Sequence, residues 1–410
     1  MRNLRTLLII FGIFLAFAFL VGCGGSSSSS SNSSSSTTTT QTIATSGANV
    51  ASISVNGGPL ATLNYADAAF TSVTVCVPGT TTCQTIDGIL VDTGSSGLRI
   101  LSSVLTVALP QQNSSSGSPV AECFLFVSSY TWGPVQTADV QMASEKASSV
   151  PIQVLSDSDF TTPTSCADSG ASSDTLESLG ANGIVGVGLF AQDCGTYCEQ
   201  VQTAAGSPNL YYECTSTTNC QPIGETLAQQ VPNPVSLFPT DNNGVIVELP
   251  AISAGEEPTV SGSLVFGIGT ESNNALGAAT VYTANADGNF ATTYSGTANS
   301  ASFIDSGSNG YFFPSSITVC PSSSDAPDFY CPSSTENLSA TSQGANGASG
   351  TVNFSIANAE TLFTVDDSAY SDLGGSNSAG SFDWGLPFFF GRNVYTGIQS
   401  TTNPNGYWAY

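Results

Sequence analysis

One short pattern occurs twice in the chain: apolar residues, then aspartate, a hydroxyl residue, glycine and serine. Ile89-Leu90-Val91-Asp92-Thr93-Gly94-Ser95-Ser96-Gly97 is the first copy, and Ala301-Ser302-Phe303-Ile304-Asp305-Ser306-Gly307-Ser308-Asn309-Gly310 is the second. A strand that ends in Asp-Thr/Ser-Gly presents one carboxylate on a tight loop. Gly94 and Gly307 let the backbone turn and approach closely. Thr93, Ser95, Ser306 and Ser308 supply hydroxyls that hold the loops by hydrogen bonds, and the Thr or Ser after each aspartate can tie its loop to its counterpart. Two such loops set face to face bring Asp92 and Asp305 together. Two carboxylates within hydrogen-bond reach do not both ionise cheaply, so they share a proton. One is then a general base toward water and the other an acid toward a carbonyl oxygen. That is peptide hydrolysis without histidine, metal or a covalent intermediate.

Composition leaves few rivals. The 410 residues include 30 Asp+Glu against 5 Lys+Arg, and no histidine. Ser-His-Asp and Cys-His catalysis are excluded, as are histidine metal sites. Past Arg2 and Arg5 the cations are Arg99, Lys146 and Arg392. That is too few for a nucleic-acid surface or a phosphate clamp. The cysteine spacings lack a paired C-x2-C zinc set, and there is no D-x-D-x-D-G calcium loop. Gly186 to Ala191 fits G-x-G-x-x-A only loosely, and cysteines rather than a helix follow it. No metal and no cofactor are expected. The acid excess reads as a solvated surface suited to low pH.

The N-terminus reads as an export signal. Residues 1–5 are basic, residues 7–19 are apolar, and Leu20-Val21-Gly22-Cys23 follows. The apolar run is shorter than the ~20 residues a membrane span needs. Its end resembles the bacterial lipobox. The resemblance implies a signal peptide over 1–22, lipid on Cys23, and membrane contact through that lipid only. Gly24, where inner-membrane lipoproteins carry aspartate, implies the outer membrane of a cell envelope, facing the periplasm or the exterior. Residues 23–47 read as a disordered Ser/Thr-rich tether.

The elements that must position the two aspartates are mostly strands. Charged residues are only 9% of the chain, against about 25% in ordinary globular proteins. Gly, Ser, Thr and Asn fill the gap and favour strands and turns. Strands are expected at 51–55, 70–76, 85–91, 150–155, 183–188, 244–249, 263–268, 279–283, 302–304, 351–356 and 386–390. Short helices are expected at 224–231 and 357–363. With Cys23 taken by lipid, ten cysteines remain. Neighbours suggest Cys76 with Cys83, Cys194 with Cys198, Cys214 with Cys220 and Cys320 with Cys331, leaving Cys123 and Cys166 to each other. Sequence alone leaves that connectivity open.

The ordered set of motifs resembles the pepsin-like aspartic proteases along most of the folded length. Residues 183–188 and 386–390 resemble the segments that complete the psi loops of the two lobes. Residues 234–238 and 262–267 resemble the crossing between lobes. The resemblance implies an all-β, bilobal fold with pseudo-two-fold symmetry, an N-terminal lobe over 48–240 and a C-terminal lobe over 241–410. It also implies Asp92 and Asp305 as the catalytic pair and a peptide or protein substrate in the cleft between the lobes. The fine sequence from Val91 to Arg99 is similar to a family of proteobacterial lipoproteins of unknown function. The chain departs from the protease pattern in places. Arg99 stands where these enzymes have the Trp that supports the flap tyrosine, either as a brace or as a plain salt bridge. Tyr130 and Trp132 are the candidate flap or cleft aromatics. No carboxylate follows Gly385, and the tether holds no basic pro-segment. The expected function is a lipid-anchored aspartic endopeptidase. The alternatives are a catalytically silent relative that binds a peptide or glycan in the cleft, and a structural surface lipoprotein.

Overall fold

The computed structural model describes residues 41–127, 129–156, 159–204, 206–253 and 255–410. The leader, Cys23 and the tether up to residue 40 lie outside the described residues.

Period-2 patterning builds the strands. In Val50–Val55 the side chains of Ala51, Ile53 and Val55 are buried while Ser52 faces solvent. In Ser349–Ile356 the buried set is Val352, Phe354 and Ile356, and exposed Ser, Thr and Asn alternate with it. Small hydroxyl residues occupy solvent faces where other proteins carry charge, which is how a chain so poor in charge keeps a polar exterior.

The strands form two lobes joined through backbone. A 16-stranded sheet carries the N-terminal lobe and the strands between lobes, and a 7-stranded sheet carries the other lobe. At the junction Val50–Val55 pairs antiparallel with Val260–Phe266, which pairs in turn with Gly244–Leu249. A second tie is the connection after Val55. There Asp67 N donates to Ser368 O, and Asp67 Oδ1 accepts from Tyr370 N, both at 2.7 Å.

All five disulfides follow the neighbour pairing: Cys76–Cys83, Cys123–Cys166, Cys194–Cys198, Cys214–Cys220 and Cys320–Cys331. Other expectations need correction. Residues 224–231 form a single turn, closed by Gln229 N and Gln230 N on Thr226 O. Pro222 and Pro232 bound the segment and limit its growth. Residues 386–390 are not a strand: Leu386–Phe389 is a 3-10 turn with Pro387 near its start. The strand that completes the second lobe is Ser381–Trp384, five residues earlier. Residues 41–47, expected to belong to the tether, are placed against the sheet between the lobes. Gln41 Nε2 donates to Leu249 O at 2.9 Å and Arg392 O at 2.8 Å, and Ala44 N donates to Glu248 Oε2 at 2.6 Å.

Candidate active site

Each aspartate ends a strand held in a parallel pair. Cys83–Asp92 runs beside Gly183–Val187, with Asp92 opposite Gly186. Thr297–Ile304 runs beside Ser381–Trp384, with Ile304 opposite Trp384, and Asp305 N donates to Trp384 O at 3.0 Å. The loop after each aspartate is pinned the same way: Gly188 N donates to Ser95 O and Leu386 N donates to Ser308 O.

The loops then bond to each other in a crossed set. Thr93 Oγ1 donates to Ile304 O at 3.1 Å and accepts from Ser306 N at 2.9 Å. Ser306 Oγ donates to Val91 O at 2.7 Å and accepts from Thr93 N at 3.1 Å. Each hydroxyl thus reaches across the pseudo-two-fold and uses both its hydrogen and a lone pair. The crossing holds the two carboxyls close enough for each to bear on the other's titration.

Glycine is required at this closeness. A Cβ on Gly94 would stand 2.6 Å from Asp305 Cγ, and one on Gly307 would stand 2.8 Å from Asp92 Cγ. Asp92 is 1% exposed and Asp305 0%. Asp92 accepts from Gly94 N, Ser95 N and Ser95 Oγ. Asp305 accepts from Gly307 N at 2.7 Å and Ser308 Oγ at 2.9 Å. Burial first, then the neighbouring Asp92 and Asp383 carboxyls, push the Asp305 carboxyl well above the usual range. Two carboxyls coupled in this way favour one shared proton over two charges.

Arg99 is fully buried behind the first loop. Its Nη2 donates to Glu122 Oε1 at 2.9 Å and Asp193 Oδ2 at 3.0 Å, and its Nη1 donates to Ser96 O at 2.8 Å. Its guanidinium carbon lies 3.5 Å from the Phe124 ring centre. Glu122 and Phe124 belong to Val120–Leu125, the first strand of a hairpin completed by Ser129–Met142. Arg99 therefore links the Asp92 loop to the hairpin at the place the flap was expected. Burial, then Glu122, raise the Asp193 carboxyl, while Arg99 and the Tyr211 hydroxyl act the other way.

Tyr130 and Trp132 lie on the same hairpin but on its other face. They pair in register with Leu125 and Cys123, whereas Phe124 pairs with Thr131. Strand alternation then separates them from Arg99. Trp132 packs edge-on against Tyr212 and donates to Phe160 O, in a cluster around Cys123 and Cys166. They are packing aromatics here, and Phe124 and Phe126 are the ones on the Arg99 face.

Two residues escaped sequence reasoning. Tyr65 is buried in the first-lobe cluster with Ile184. Burial, then the nearness of Asp305, raise its phenol, and its hydroxyl has no partner. Asp383 is 2% exposed beside the dyad. Tyr65 sits in a stretch with no periodic signal. Asp383 would have been found by the alternation Phe382-Asp383-Trp384, had the strand been placed there.

Fold and site together define a pepsin-like arrangement. Among solved structures, an aspartic proteinase from Irpex lacteus matches with a TM-score of 0.50 at 16% identity, covering 88% of this chain and 96% of that one. That likeness concerns the fold. A family model described as "Protein of unknown function (DUF3443)" matches residues 45–410. The chain belongs to that family. No curated protein matches it.

Proposed function

We propose that the protein is an exported aspartic endopeptidase. The observation that carries this reading is the crossed hydrogen bonding of Thr93 and Ser306, which holds Asp305 against Asp92 in a buried site. In the reaction a water between the carboxyls gives a proton to Asp92 as it attacks the peptide carbonyl. Asp305 gives its proton to the carbonyl oxygen. Collapse of the tetrahedral intermediate breaks the C–N bond: Asp305 takes back a proton from one hydroxyl of the gem-diol as the C=O re-forms, and the amine leaves with the proton from Asp92. The substrate is a peptide or protein segment in the cleft. The leader and Cys23 support lipid anchoring at the cell envelope, facing the periplasm or the exterior from the outer membrane. Five disulfides agree with an oxidising compartment.

One observation favours a second reading, a silent cleft that binds a peptide or glycan. Both carboxyls are at most 1% exposed, so water has little access in this conformation. Incubation with a mixed peptide library from acid to neutral pH, read by mass spectrometry beside Asp92→Asn, separates the two. Cuts that vanish in the variant support the peptidase. A folded protein that makes no cut at any pH supports the binder.

A further inference from the structure

Behind the second aspartate lies a carboxyl that the crossed hydrogen bonds do not use. Asp383 stands opposite Phe303, two residues before Asp305. In the first lobe the residue opposite Leu90, two before Asp92, is Ile184. The pseudo-two-fold therefore puts a carboxyl where the other lobe has an apolar side chain. Phe382 and Trp384 are 0% exposed and point into the aromatic core. Alternation sends Asp383 to the opposite face, where its carboxyl bears on that of Asp305.

Its hydrogen bonding is incomplete in an informative way. Asp383 Oδ1 is buried with no partner. The Ser308 hydroxyl lies near it, and that hydroxyl already donates to Asp305 Oδ2 at 2.9 Å. A serine has one hydrogen to give. Toward Asp383, Ser308 then acts as an acceptor, and Asp383 must carry the proton. Leaving a buried carboxylate ionised without a donor is costly.

The titratable groups around it agree. Asp92 and Asp305 face it from the two loops, and Tyr65 lies beyond Asp305. Tyr311 of the adjoining strand turns with Trp384 into the core. Burial raises the Asp383 carboxyl well above the usual range, and the Asp92 charge adds to it, against the opposing Ser308 hydroxyl.

We propose that Asp383 is a proton-holding positioning residue of the dyad, donating to Ser308 Oγ, which donates to Asp305 Oδ2. Its catalytic consequence rests on the peptidase reading, and its proton does not. A hydrogen bond relayed to Asp305 Oδ2 favours the ionised form of that carboxyl, so the shared proton leaves at lower pH than it would without Asp383.

The test compares the full chain with Asp383→Asn by infrared spectroscopy and by unfolding against pH. The wild type should show a protonated-carboxyl band at neutral pH that the variant loses. Folding of the variant should take up about one proton fewer. Its unfolding constant should then change about tenfold less per pH unit above the unfolded carboxylate value near ~4. Should Asp383→Asn not fold, Asp383→Ile, the first-lobe residue at the equivalent place, should give the same losses. In peptide hydrolysis the alkaline limb should move to higher pH in Asp383→Ile, which has no hydrogen to give Ser308. It should not move further when that change is made in a Ser308→Ala background. A variant that keeps the wild-type band and slope overturns the proposal. An undiminished limb shift in the Ser308→Ala background overturns the relay. A wild type without peptidase activity refutes the catalytic reading, and the infrared and unfolding results then decide the proton.

Discussion

Asp92 accepts hydrogen bonds from two backbone N–H groups and Ser95, whereas Asp305 accepts from one backbone N–H and Ser308. Behind the first loop stands a buried cation, Arg99, paired with Glu122 and Asp193. Behind the second stand Asp383 and a stack of aromatics, Phe382, Trp384 and Phe388. The loops themselves cross-bond almost symmetrically. The difference teaches that duplicated backbone brings the two carboxyls together, while the unduplicated surroundings make their environments unequal.

The comparison is broken most severely at the carboxyls. Asp92→Asn and Asp305→Asn should each lower peptide hydrolysis by about 10²- to 10⁴-fold while the fold survives, as checked by circular dichroism.

Arg99→Met tests the cation behind the first loop. It leaves Glu122 and Asp193 buried without their partner, which should cost about 3–5 kcal/mol in denaturant unfolding. A cost near zero would mean that the two acids are held by something other than Arg99. Asp383→Asn, its counterpart behind the second loop, should not destabilise the protein at neutral pH.

The crossed hydroxyls sharpen the symmetric part. Thr93→Val and Ser306→Ala each strand one buried backbone N–H and remove one donated bond. Each should cost about 1–3 kcal/mol, and the two costs should agree closely. Unequal losses would show that one loop is held mainly by its own lobe.

The smallest effect is on pH dependence. Carboxyls raised on folding contribute stability below their unfolded value near ~4, and that stability is lost as pH rises through their folded values. Asp305 and Asp67 are raised by burial, Asp372 by burial to about 6 and Glu225 by burial to about 7. Stability should therefore decline between about pH 4 and pH 7, and Asp305→Asn should make the decline shallower. A thermal-unfolding series in pH measures both slopes.

Much of this was legible in the sequence. The doubled Asp-Thr/Ser-Gly-Ser pattern named both loops and their hydroxyls, because chemistry and local geometry there share the same few residues. Local spacing also suggested the disulfides, since Cys76 with Cys83 and Cys214 with Cys220 face each other across strands. The second-lobe strand was misplaced because 386–390 is apolar enough to read as a strand, while Pro387 turns it. That hid Asp383. The face of the hairpin aromatics was not legible because a strand's outward side is set by its partners. The extra hairpin Tyr211–Ser216 with Asn219–Pro222 lies alongside it, and Tyr212 from that hairpin covers Trp132.

The most direct test of the dyad is the pH profile of kcat/KM for peptide hydrolysis by the wild type, Asp92→Asn and Asp305→Asn. The account predicts a bell-shaped profile in the wild type, reporting one ionised and one protonated carboxyl, and collapse of the whole profile in each variant. Hydrolysis that survives in either variant with an unchanged profile would contradict it.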